Sequence, residues 1–287
     1  MVNALAVLVN AVIISALYAL VAIRFTLIFG VGGVLNSAHG ASITVGAFGA
    51  YFAARVFGLG IVVGLLAGIA AAAVFSGLLY LVMIERIEDQ PITVMILTLV
   101  TAVATEQLLL NMLGGQPKAI PSLVPGSVAL GPVSVQANLL VVFVLSWLVI
   151  GGLFWFVDRT KAGKALLATS MSHKGAALCG IDSSRVTLVT WVIAGALAGL
   201  AGVFPGSFLS VGWAMGRTPL VLSFSIVVLG GIGSVRGSVV GAYLIGFLEV
   251  FTTFYVDACL QGLVPLVALL VVLIVKPEGL FGRELAG

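Results

Sequence analysis

Charge is what this chain has least of. Asp, Glu, Lys and Arg make up 8% of its 287 residues, against roughly a quarter in a soluble domain. That shortage excludes a soluble globular protein and leaves no stretch for a separate soluble domain. Histidine is scarce as well, with His39 and His173 standing far apart. No His, Cys and carboxylate cluster has metal-ligand spacing, so neither a metal nor another cofactor is expected. The two cysteines, Cys179 and Cys259, fall in different topological places, and no disulfide is expected between them. A phosphate-binding loop is missing too. Before the Gly163–Lys164 pair, Asp158 stands where such a loop needs its first Gly, and Ala165 follows where it needs Ser or Thr. The chain is therefore not expected to hydrolyse ATP itself. No GxSxG is present, and no basic residues interleave with aromatics as a nucleic-acid surface requires.

What the chain has is apolar length. Hydrophobic residues are 61% of it, with mean hydropathy +1.29. Runs of about 20 apolar residues cross a bilayer as helices. They predict an all-α, polytopic transmembrane bundle of eight or nine spans, some broken or halved, forming a single domain over 1–287. The N-terminal run has no Lys or Arg before it, which argues for a retained first span rather than a cleaved signal. That span is predicted over 4–29, with Arg24 near its inner end reaching toward water. Further spans are predicted over 61–84, 92–112, 137–157, 187–209, 220–229, up to about 256, and 262–275. Pro205, between Gly202 and Gly206, predicts a kink or unwinding. A long loop, 114–136, carries Pro117, Pro121, Pro125 and Pro132.

Positive charge is unevenly placed. Arg24, Arg86, Arg159, Lys161, Lys164, Lys174, Arg185, Arg236, Lys276 and Arg283 fall on one side of this layout. Arg55, Lys118 and Arg217 fall on the other. By the positive-inside rule the ten mark the cytoplasm. The N-terminus is then outside and the C-terminus, after KPEGLFGREL, is inside.

Three polar interruptions stand out. The largest, 158–186, holds five of the thirteen Lys and Arg between two spans. Within it, 163–172 can form a short helix with Ala165, Leu166, Ala168 and Met171 apolar. Gly175 and Gly180 break it, and Asp182 or Ser183 can cap the next span. Such a knob offers cytosolic machinery something to push on; the plainer reading is a loop that only sets topology. The second interruption is GVGGVLNSAHG, 30–40, followed by a short Gly-rich stretch. The third is GGIGSVRG, 230–237. Irregular backbone at membrane depth is tolerated where it is buried in protein or lines a wet cavity. Asn36, Ser37, His39, Gly40, Gly230, Gly231, Gly233 and Ser234 are therefore candidate pathway residues, the alternative being glycines used for helix packing. GG followed by GAF or GAY after both breaks suggests an internal duplication. Glu106 and Glu249 are charges within spans, either a cation relay or partners of Arg24, Arg55 or Arg217. His39 with Ser37 or Ser42 is the one pair an intramembrane hydrolase could use.

Together, GVGGVLNSAHG with GAFGAY, GKALLA…KGAALCGID, VLGGIGSVRGSVVGAYLIG and KPEGLFG span nearly the whole chain. In this order they resemble the membrane permease subunit of ABC importers for branched-chain amino acids and, more broadly, hydrophobic amino acids and urea. The resemblance implies a pore-forming subunit in a bacterial inner membrane, in contact with lipid. It also implies a second homologous permease, two cytosolic ATP-binding subunits and a periplasmic substrate-binding protein. The central loop would couple the permease to the ATPase through Gly163, Lys164, Ala168, Ala176, Gly180 and Ile181. Leu167 departs from the Arg frequent in the family, and Met171 and Ser172 replace more polar residues. A urea or short-amide permease and an ion-coupled amino acid transporter are the alternatives.

Overall fold

The computed structural model describes residues 4–131, 133–276 and 278–281. Pro132, Pro277 and Arg283, which enter the expectations above, lie outside the described residues. The helices are α1 (Ala4–Gly32), α2 (His39–Tyr51), α3 (Gly60–Leu79), α4 (Pro91–Leu113), α5 (Ala137–Arg159) and α6 (Lys161–Met171). They continue with α7 (His173–Leu178), α8 (Ser183–Gly206), α9 (Arg217–Gly230), α10 (Val235–Tyr255) and α11 (Leu263–Val275). Single π-helical turns, Phe52–Val56 and Tyr80–Ile84, extend α2 and α3.

Among the described residues, six helical stretches are long and apolar enough to cross a membrane: α1, α3 with its π turn, α4, α5, α8 and α10. α9 and α11 are shorter apolar helices. The eight or nine spans expected thus resolve into six long helices, these two, and α2 with its extension. One departure from an all-α chain is a hairpin in the long loop, Ser127–Leu130 (β1) paired antiparallel with Val133–Gln136 (β2). Its signal was legible: SVAL and VSVQ flank a Gly-Pro step, and Gly131 turns at φ +61°.

The chain folds into two compact units, each assembled from separate segments. The first comprises 1–26, 122–147 and 218–287; the second comprises 27–121 and 148–217. In the first, Val7 and Ala11 of α1 pack on Val250 of α10, with Phe247 and Phe251 alongside. Tyr243, Phe247, Phe251 and Tyr255, four residues apart, form a ladder up one face of α10 with ring centroids 5.8–6.4 Å apart. The hairpin closes over α1 through Val133 and Val135 against Ile13.

In the second unit α2, α3 and α8 meet backbone to backbone. A Cβ at Gly199 would stand 2.6 Å from the Gly68 carbonyl oxygen and 2.6 Å from the Ile69 Cα. One at Gly46 would stand 2.5 Å from the Gly199 Cα. Without water to drive association, helices in lipid gain by such close van der Waals approach. Tyr80, Ile84, Val94 and Trp191 fill the space on one side of this contact.

Arg24 does not reach water. It is 0% exposed, because α1 continues to Gly32, eight residues or about 12 Å further along the helix. The unwinding expected at Pro205 is there: α8 ends one residue later, at Gly206.

Candidate functional site

The polar segment between α5 and α8 is built from two short helices. The single helix expected over 163–172 begins earlier, at Lys161, because Thr160 caps it: its hydroxyl accepts from the Gly163 amide at 2.9 Å. The chain then breaks at Ser172, whose φ of −164° and ψ of 116° are extended. Gly175 is not the breaker. It lies inside α7, and its amide donates to the Ser172 hydroxyl at 3.0 Å, which makes Ser172 the cap. Gly180 does end the helix, at φ +76°, and Asp182 caps α8 by accepting from the Arg185 amide at 3.2 Å.

These caps position the expected coupling residues differently. Gly163 is buried against the Phe156 carbonyl and Val157 of α5, where any Cβ would collide with backbone. Ala176 is buried, and its carbonyl accepts from the Ile181 amide at 3.0 Å. Lys164 and Gly180 are exposed, while Ala168 and Ile181 are half-buried. Beside the exposed Lys164, the open surface carries apolar side chains: Leu167, Met171 and Leu178 are 50%, 69% and 90% exposed. Leu178 went unnoticed in the sequence, although an apolar residue just before a helix-ending Gly in a polar segment was a signal.

The first helix break is narrower than 30–40. Gly30 to Gly32 finish α1, and irregular chain covers 33–38, starting with Gly33 at φ +62°. Asn36 bends the chain back, its side-chain oxygen accepting from the Ala38 amide at 2.9 Å and its carbonyl from His39 at 3.2 Å. The Ser37 amide donates to the Thr98 hydroxyl of α4 at 3.0 Å. Asn36, His39 and Gly40 are buried and Ser37 is half-buried. Ser42, one turn on, donates to the Ala38 carbonyl at 3.1 Å and accepts from Ser76 at 3.3 Å, which occupies the hydroxyl a hydrolase would need.

The second break covers 231–234, with Gly231 at φ +99° and Gly233 at +82°. Ser234 caps α10 by accepting from the Gly237 amide at 3.0 Å. Gly230 and Gly237 touch backbone to backbone. The carbonyls that end α9 are already taken: Leu280 donates to Leu229 at 2.8 Å and Phe281 to Gly230 at 3.0 Å. Leu280 and Phe281, of the C-terminal motif, thus close the second glycine break. The two breaks belong to different units, so the structure groups Asn36, Ser37, His39 and Gly40 in one set and Gly230, Gly231, Gly233 and Ser234 in another.

Of the two glutamates, Glu106 is ion-paired: Arg217 donates to its Oε2 from Nε at 2.9 Å and Nη2 at 2.7 Å, with the guanidinium 5.1 Å above the Trp213 ring. Glu249, 4% exposed, takes a hydrogen bond from the Gly262 amide at 3.3 Å. Among the described residues no group of His, Cys, Asp and Glu could hold a metal ion.

Residues 7–274 match the family described as the branched-chain amino acid transport system permease component. The chain is 30% identical to the high-affinity branched-chain amino acid transport system permease protein BraD of Pseudomonas aeruginosa, over 96% of this chain and 95% of the relative. It is 31% identical to LivH of Escherichia coli (strain K12), a permease protein of the same description, over 96% of this chain and 94% of that one. A solved structure, PsaBC from Streptococcus pneumoniae in complex with Fab, aligns with TM-score 0.52 at 17% identity over 95% of this chain and 92% of that one; this likeness speaks for the fold alone. With a match running from α1 to α11, the chain belongs to the family of branched-chain amino acid transport permease components.

Proposed function

We propose that this chain is a pore-forming permease subunit of an ABC importer, moving branched-chain or similar hydrophobic amino acids across a bacterial inner membrane. It has no ATP site of its own and draws on two cytosolic ATP-binding subunits. A second homologous permease and a periplasmic binding protein complete the assembly. Its N-terminus lies outside and its C-terminus in the cytoplasm, as the placement of Lys and Arg requires. The observation that carries this reading is the near full-length family match over 7–274.

The α6–α7 segment is the coupling element. Thr160 and Ser172 cap the starts of its two helices, and Asp182 caps α8 directly after it. Gly163, Ala176 and Ile181 hold its shape, while Lys164, Ala168 and Gly180 lie beside the apolar contact made by Leu167, Met171 and Leu178. This replaces the polar docking contact that Arg at position 167 would provide. Nucleotide-driven closure of the ATPases pushes this piece, and packed helices switch access between the two sides. The uncapped start of α2, with Asn36, Ser37, His39 and Gly40, is the pathway element of the second unit, and the Gly230–Ser234 turn is its counterpart in the first.

Reconstitution with the partner subunits tests the reading. Leucine-stimulated ATP hydrolysis is expected in the full complex, and Leu178→Asp with Met171→Asp abolishes it by releasing the ATPase. Leucine uptake by the purified chain alone, in vesicles without any nucleotide-driven partner, would overturn the proposal.

A further inference from the structure

Within the second unit a cavity of about 280 Å³ lies beside the Tyr80–Ile84 turn, at the end of that unit carrying α7. That volume is at the small end for ligand sites, which start near roughly 300 Å³. Its walls differ in character. Glu88 and Asp89 supply negative charge. The ion pairs found among the described residues, Arg185–Asp182 and Arg217–Glu106, use neither of them. Glu88 accepts from the Tyr80 hydroxyl at 3.1 Å. Val34, Ile84 and the Trp191 ring supply an apolar wall. Trp191, 1% exposed, lines the cavity with them. An indole N–H can only donate, so on this wall it suits a ligand that brings an acceptor.

The three demands are a cation for Glu88 and Asp89, an acceptor for the Trp191 N–H, and a small hydrocarbon body for the wall. A metal ion meets the first alone, and a fatty acid lacks it. A zwitterionic amino acid with an apolar side chain meets all three. We propose that this cavity binds such an amino acid, with its ammonium on Glu88 and Asp89 and its carboxylate on Trp191, reached from the side that carries the coupling segment. The proposal rests on the permease reading and its orientation. His173 also lines the cavity, and its Nε2 lies 2.9 Å from the Val31 carbonyl at the end of α1. An occupant therefore contacts the residue that ties α7 to the first helix break, and holds it there.

The test is equilibrium binding of labelled leucine to the complete permease–ATPase complex without the binding protein. Leucine binding is expected to weaken about tenfold or more in Glu88→Gln with Asp89→Asn, which keeps the Tyr80 bond but removes the charge. Trp191→Phe, which keeps the ring and loses the N–H, is expected to weaken it about threefold to tenfold. Isocaproate, which lacks the ammonium, does not compete; isoamylamine, which lacks the carboxylate, competes weakly. Bound leucine slows amide exchange across 173–178. Leucine affinity unchanged in both variants, or isocaproate competing as well as leucine, overturns the site. Intact ATP-driven leucine uptake alongside that result leaves the permease reading standing. Absence of leucine uptake, with cavity binding that still follows Glu88, Asp89 and Trp191, defeats the permease reading and not the site.

Discussion

The two glycine breaks carry similar sequence and are closed by different chemistry. Between α1 and α2 the irregular chain is held by side chains: the Asn36 oxygen on the Ala38 amide, and the Thr98 hydroxyl on the Ser37 amide. Between α9 and α10 it is held by main chain, with Leu280 and Phe281 donating to the last carbonyls of α9. α10 starts with a side-chain cap from Ser234, whereas α2 starts without one. A side-chain closure opens when one rotamer changes. A main-chain closure opens only when a segment leaves. The difference marks the first break as the adjustable one and the second as a clamp.

The largest effects should come where both breaks share a feature. Gly40 lies on Gly216, and Gly230 on Gly237, each by backbone contact. Gly40→Val and Gly230→Val each force the backbones apart, at a cost of about 3 kcal/mol or more. Loss of monodisperse protein in detergent, or a Tm fall of several degrees, is expected for both. If Gly40→Val alone were tolerated, the first break would be loose enough to absorb a Cβ, and the contrast would sharpen.

Next come the closures themselves. Thr98→Val keeps shape and removes the acceptor for the Ser37 amide, which costs about 1–3 kcal/mol if that amide stays dry. Faster hydrogen exchange is expected at 33–38, with 229–234 unchanged. Truncation after Lys276 does the reverse, freeing the Leu229 and Gly230 carbonyls and raising exchange at the end of α9. Exchange rising at both breaks in either variant would show that they are not closed independently.

The sequence announced these breaks but not their closures. Glycine content and the polar residues of GVGGVLNSAHG marked a disruption. Gly30 and Gly32 nevertheless stayed helical, since Gly in a helix costs only about 1 kcal/mol and packing recovers it. Thr98 sits in an apolar span, and its partner is 61 residues away, which no local pattern reports. The spans were legible because apolar length is a direct requirement of the bilayer. Arg24 was misplaced because a charge near the end of an apolar run reads as an anchor, whereas α1 ran two turns further. In the coupling segment the glycines drew attention, but hydroxyl caps at Thr160 and Ser172 set the boundaries. No local pattern singles out Tyr80, Glu88, Asp89 or Trp191; only the fold brings them to one cavity.

The smallest effect separates a cap from a closure. The Ser234 hydroxyl accepts from the Gly237 amide at 3.0 Å, and losing such a cap costs about 1 kcal/mol. Ser234→Ala should therefore lower Tm slightly, and Ser234→Asp should restore it, because a carboxylate caps as well and suits the positive end of the helix dipole. Asn36→Ala removes a bond from a residue that is 4% exposed, where water cannot replace the lost acceptor as easily, so its Tm loss should be the larger. If the two break segments are held as described, Asn36→Ala reduces leucine uptake more than Ser234→Ala does. Equal uptake in both would mean that the first break is as passive as the second, and the distinction between hinge and clamp would be lost.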